Sequence, residues 1–187
     1  MKITIFTSNN QRHNYLINTL SDVCEKLFVI QECKNRPVNK INNKQNNNSL
    51  FSSYFENVTK AENKFFKKRG KVDDKLKKIK IFYIVHGELN NIPLESIKSF
   101  LESDLYLVFG SSYIKGDLLY FLVKNKSLNI HAGVSPYYRG SDCNFWALYD
   151  NNPHLVGSTI HFLSKGLDSG PLLYHAMSNI KLNSYEY

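Results

Sequence analysis

The sequence predicts an α/β protein built on a doubly wound, mostly parallel sheet flanked by helices. Three observations carry that prediction. Lys2 to Thr7 alternates and is β-branched, an amphipathic stretch follows, and Lys26 to Gln31 is apolar again. This is a βαβ opening, which the handedness rule turns into a right-handed crossover between parallel strands. Strand-like and helix-like stretches then alternate down the chain. Finally, Gly110, Ser111 and Ser112 follow a strand at its C-terminal end, where small residues let a ligand approach the backbone.

In the first helix Ser8, Asn9 and Asn10 supply capping side chains, and Tyr15, Leu16, Leu20, Val23 and Leu27 recur at helical spacing. Residues 35 to 50 hold seven Asn among sixteen and few apolar side chains, the composition of a mobile loop. Leu50, Phe51, Tyr54, Phe55, Val58, Ala61, Phe65 and Phe66 then fall on one side of a helix, an aromatic stripe expected to face the core. Ile79 to Val85 has the apolar run of a buried strand. Asn91 and Pro93 introduce a short helix, Asp104 to Phe109 is the next strand, and a helix spans Asp117 to Lys124. Ser141 or Asp142 caps a helix carrying Phe145, Trp146, Leu148 and Tyr149, Gly157 to Leu163 is another strand, and Tyr174 to Leu182 forms a last one.

With 187 residues, 42% of them hydrophobic, the chain buries one sizeable core, so a single domain over 1–187 is expected. The first ten residues are too polar for a signal peptide and no apolar run reaches the length of a membrane span, so the expected location is the cytoplasm. Cys24, Cys33 and Cys143 form no C-x-x-C pair and read as core thiols in a reducing compartment. Of the net charge of +8, a balance of +7 lies between Lys60 and Lys80. A solvated face explains such a run without a nucleic-acid partner, and steering of a polyanion is the functional alternative.

Chemistry concentrates in Ser127 to Gly140, SLNIHAGVSPYYRG. Asn129 and His131 lie two apart on a strand and so share a face of the sheet, and a loop rich in Gly, Pro and Tyr follows at once. Further on, His161 shares a strand face with Thr159, and Asp168 stands between Gly166 and Gly170. A carboxylate there can be a turn-former alone or a reactive group. Arg12 and His13 open the first helix, where a phosphate can bind, and Arg139 is a second candidate for gripping one. Side chains of these types can donate to a developing oxyanion, take a proton and return one. Asn129, His131 and Asp168 cover those tasks without a metal.

N-I-H at 129–131, S-P-Y-Y-R-G at 135–140 and G-S-T-I-H-F-L-S-K-G-L-D-S-G-P-L-L at 157–173 together resemble the formyltransferase family that uses 10-formyltetrahydrofolate. The resemblance implies a Rossmann-like formyltransferase fold and a catalytic triad of Asn129, His131 and Asp168, with His161 in a supporting role. It implies that Phe109, Gly110, Ser111, Tyr113, Ile114, Gly166 and Leu167 meet the folate. Ser135, Tyr137, Arg139 and Gly140 would join Arg12 and His13 on the acceptor side. The implied reaction is formyl transfer from 10-formyltetrahydrofolate, as co-substrate, to a primary amine on a small phosphate-bearing acceptor, either a nucleotide-linked amino sugar or glycinamide ribonucleotide. A methionyl-tRNA formyltransferase-like enzyme and a non-catalytic folate- or nucleic-acid-binding relic of the fold are the alternatives. The first turn, Thr7 to His13, lacks the glycine-rich phosphate loop of the purine enzyme, a departure that weighs against glycinamide ribonucleotide.

Overall fold

Continuous burial of two neighbouring strands sets the architecture. In β1 (Lys2–Ser8) and β2 (Lys26–Cys33) every interior residue is buried, as expected for strands covered on both faces of a parallel sheet. A computed structural model of the protein describes residues 1–34, 49–66, 70–72 and 77–178, without the side chains of 49–52 and 55. The expected mobile loop at 35–50 lies outside the described residues, apart from the two that open a helix, and the basic run at 60–80 falls only partly within them.

The sheet has seven strands in the order β3-β2-β1-β4-β5-β6-β7, adding β3 (Ile79–Val85), β4 (Leu105–Phe109), β5 (Leu128–His131), β6 (Gly157–Phe162) and β7 (Leu172–Met177). All pairings from β3 to β5 are parallel, and β6 and β7 are added antiparallel. Strand order reverses between β1 and β4, the switch point outside which doubly wound sheets bind ligands. Helices α1 (Gln11–Val23), α2 (Ser49–Phe66), α3 (Gly116–Lys124) and α4 (Cys143–Tyr149) complete the described fold with three short 3₁₀ segments. Alternation along the strands splits the core in two. Ile3, Ile5, Leu27 and Val29 pack with Ile17 of α1 on one face, while Phe6 and Ile30 pack with Ile97, Leu118 and Leu122 on the other.

Several expectations are corrected. The buried stripe of α1 is His13, Ile17 and Ser21, whereas Tyr15 and Val23 are exposed; the helix is amphipathic through a polar-lined contact that apolar counting misses. Asn10 caps α1 without a side-chain cap hydrogen bond, and Ser8 Oγ is engaged by His13 Nδ1 at 2.7 Å. β3 is an edge strand whose Tyr83 and Val85 are exposed. Of the described side chains in the α2 stripe, Phe65 is exposed, Phe66 packs on Tyr15 of α1, and Tyr54 and Val58 line a cavity, so this part of the stripe does not face the core. Leu94–Phe100 is a 3₁₀ segment, and the last strand starts at Leu172, ahead of Tyr174; its expected continuation to Leu182 lies outside the described residues.

Candidate active site

Pairing in register builds the centre of the site. Asn129 of β5 lies opposite His161 of β6, and His131 opposite Thr159, so both β5 side chains share a face with the two that the sequence placed together on β6. The turn after β6 then carries Asp168 back over them, with Asp168 in the left-handed region at φ 44. Asp168 Oδ1 accepts the Asn129 amide at 2.9 Å, and Oδ2 faces His131 Nδ1 at 3.2 Å and accepts the Gly140 N–H at 3.0 Å. His161 Nε2 lies 3.0 Å from the same Asn129 amide nitrogen, and its Nδ1 lies 2.8 Å from the Phe162 carbonyl. A carbonyl only accepts, so Nδ1 carries a proton.

The four polar side chains thus form one connected group, and three nearby groups brace it. His131 Nε2 donates to the Tyr138 carbonyl at 3.0 Å and lies 3.5 Å from Cys143 Sγ. Ser135 donates its N–H to Thr159 Oγ1 at 3.0 Å and its hydroxyl to the Asp168 carbonyl at 3.3 Å. Burial pushes the Asp168 carboxyl up, yet the His161 ring, the Gly140 N–H and the His131 charge outweigh burial and hold it below its ordinary value. Burial, with Asp168 and Asp142 nearby, pushes the Cys143 thiol up to about 11, so it stays an unreactive packing group.

A cavity of about 1090 Å³ opens over this group. Its lining includes Phe109, Gly110, Ser111, Tyr113 and Ile114, with Gly166 and Leu167; these are the residues expected on the folate side. It also includes Arg12, Lys34, Tyr54, Glu62 and Asp142. Tyr54 donates to Asp142 at 2.9 Å and packs edge-on against Phe145 at 5.3 Å, which ties α2 to α4 across the opening. Nothing in the sequence pointed to α2 as a wall of the site, because its polar positions carry no motif.

The acceptor-side expectations fare unevenly. Gly140 lines the cavity, but Ser135, Tyr137 and Arg139 do not. Ser135 is buried as a brace of the Asp168 turn, while Tyr137 and Arg139 point to solvent. Arg12 lines the cavity and is ion-paired with Glu62. His13 is corrected: it is only 2% exposed and stacks edge-on against Phe109 at 4.6 Å, directly beneath Gly110. Burial and, secondarily, the Arg12 charge lower its pKa from 6.5 to about 3, so it offers no cation to a phosphate.

That burial has a measurable consequence. Because the folded pKa is depressed to about 3, the unfolded chain gains a proton below pH 6.5 and the folded one does not. Between pH 7 and pH 5, urea unfolding of the wild type loses about 2 kcal/mol through this group. In His13→Gln that component is gone, and an unchanged slope in the variant would show that His13 is not the titrating group.

Fold and site together define a doubly wound α/β protein with an Asn-His-Asp centre at the edge of its parallel strands. Residues 95–185 match the family profile described as "Formyl transferase". The second half of the chain is thus similar to the formyltransferase family. Over 53 residues it is 38% identical to the methionyl-tRNA formyltransferase of Desulforamulus reducens, an overlap covering 28% of this chain and 16% of that relative. The matched part is therefore a small share of the curated relative's length. The crystal structure of phosphoribosylglycinamide formyltransferase from Bacillus halodurans superposes with a TM-score of 0.59 at 17% identity, covering 99% of this chain and 83% of that one. A sugar N-formyltransferase from a Shewanella species gives 0.52 at 18% identity, covering 97% and 58%. At such identities the two structures show the fold, which is Rossmann-like and of the formyltransferase type.

Proposed function

We propose that this protein transfers the formyl group of 10-formyltetrahydrofolate to a primary amine of a small phosphate-bearing acceptor. The observation that carries the reading is the joining of Asn129, His131 and Asp168 in the lining of a cavity large enough for both substrates. In the reaction, the amine lone pair forms the new N–C bond, the formyl oxygen becomes an oxyanion, and the N10–C bond breaks with its electron pair returning to N10. One proton leaves the amine and one reaches N10, so the products are the formamide and tetrahydrofolate.

Hydrogen-bond geometry supports one division of roles. The Asn129 amide is directed to His161 and Asp168, and the two ring nitrogens of His131 face the Tyr138 carbonyl and Asp168. The donors aimed at Asp168 are the ones a substrate can take over, and hydrogen bonds of this kind commonly rearrange on substrate binding. As Asp168 turns to accept the amine proton, Asn129 and His131 become free to hold the oxyanion. The cavity residues from Phe109 to Ile114, with Gly166 and Leu167, would hold the folate. Arg12 and Lys34 supply cations for the acceptor, with Glu62 opposing them.

The test is mass spectrometry of candidate amines, namely nucleotide-linked amino sugars, glycinamide ribonucleotide and methionyl-tRNA, each incubated with protein and 10-formyltetrahydrofolate. One acceptor is expected to gain the mass of a formyl group. A well-folded protein that formylates none of them would count against the reading.

A further inference from the structure

Glu32 is the most deeply buried charged side chain that the reaction does not use. It is the penultimate residue of β2, paired with Ser8 of β1, and is 0% exposed. An isolated carboxylate in such a place is costly, and it persists only where hydrogen bonds satisfy its oxygens. Its partners come from two loops at the C-terminal ends of the strands. Oε1 accepts the Gly87 N–H at 2.9 Å and the Ser112 hydroxyl at 2.7 Å, and Oε2 accepts the Ser112 N–H. His86 Nδ1 stands 3.7 Å from Oε2.

Ser112 is central to the loop that lines the cavity, and that loop is fastened a second time. Asn90, three residues after Gly87, donates to the Tyr113 carbonyl at 2.8 Å and accepts the Lys115 N–H at 2.8 Å. Residues 87–90 and 112–115 therefore form one unit, with Glu32 as its anchor in the sheet. Both donors of Ser112 turn inward to the carboxylate, and Ser111 gives its hydroxyl to the Ser112 carbonyl. From below, the neutral His13 ring fills the space under Gly110.

We propose that Glu32 is a positioning residue for the formyl donor: by holding Ser112 and Gly87 it fixes the shape of the Gly110–Ile114 wall against which a tetrahydrofolate head group rests. This rests on the reading that the cavity takes tetrahydrofolate. Glu32 touches neither substrate in this arrangement and acts only through the loop. Its effect falls on donor binding and leaves the chemistry at Asp168 alone.

Glu32→Gln keeps the shape and removes the charge, and its amide group must face the Ser112 N–H or the Gly87 N–H, donor against donor. Calorimetric titration with tetrahydrofolate is expected to show binding weakened by about 10- to 100-fold, the range for loss of a charged hydrogen bond. With the formylated donor, KM for the donor rises in step, while kcat and the acceptor KM change by less than about twofold. In the protein without ligand, amide exchange rises in peptides covering 86–90 and 110–115 and not in β1. Equal tetrahydrofolate affinity in wild type and variant would overturn the proposal, as would exchange that rises uniformly across the sheet. A wild type that itself fails to bind tetrahydrofolate overturns the donor reading, and that result is told apart because it does not depend on the variant.

Discussion

Asp168→Asn lowers formyl transfer by about 10²- to 10⁴-fold, the range for loss of a positioned general base. The substituted amide can neither take the amine proton nor face Asn129, His131 and the Gly140 N–H as an acceptor at both positions. Single-turnover formation of the formylated acceptor measures the loss, with a thermal melt as control for folding. Full rate in the variant would remove Asp168 from the mechanism. The pH profile adds a sign. Asp168 is held below its ordinary value, burial being outweighed by His161, Gly140 and His131. It therefore stays a carboxylate above about pH 4, and the stability it contributes is present above that ordinary value and lost as pH falls through the lower folded one. The acid limb of the rate belongs to Asp168 only if it disappears in the variant.

Gly170→Ala is expected to destabilise the protein by about 3 kcal/mol, because a methyl group there overlaps the backbone carbonyl of Phe162 and reaches His161 Nδ1 at 3.3 Å. A shift of that size lowers the melting temperature by about 6–12 °C in a chain of this length. The clash is with the same carbonyl that fixes the His161 ring, so the damage extends beyond stability. At temperatures where the variant is still folded, its rate is expected to fall with that of Asp168→Asn, since Asn129 loses the partner that orients it. Wild-type stability and rate together in Gly170→Ala would show that the turn has room to move.

The alternation of strands and helices was legible because β-branched and apolar runs need no partner to be recognised, and the parallel half of the sheet followed from crossover handedness. What the residues alone did not disclose was position within the sheet. Ile79 to Val85 reads as a buried strand, and only the order of pairing makes it an edge. The grouping of Asn129, His131, His161 and Asp168 was legible from spacing and family resemblance, since two of the spacings are strand pleats. The acceptor side was not. His13 and Arg12 sit at a helix start that could meet phosphate, but burial under Gly110 and the ion pair to Glu62 depend on packing with elements distant in sequence. Likewise, Ser135 looked like part of a substrate loop, and its bonds to Thr159 and the Asp168 carbonyl could not be read without the turn.

The antiparallel addition of β6 and β7 has a consequence for how the molecule comes together. Every contact among Asn129, His131, His161 and Asp168 closes within 39 residues of chain, while Glu32 reaches Ser112 across 80. Loop closure costs entropy that grows with separation, so the reactive corner is the cheaper of the two to assemble and the donor wall waits for the first half of the chain. The family profile begins at residue 95, on the side of the chain that holds this short-range corner. The Asn129–His131–Asp168 group and the Glu32 anchor thus belong to stretches of different contact range.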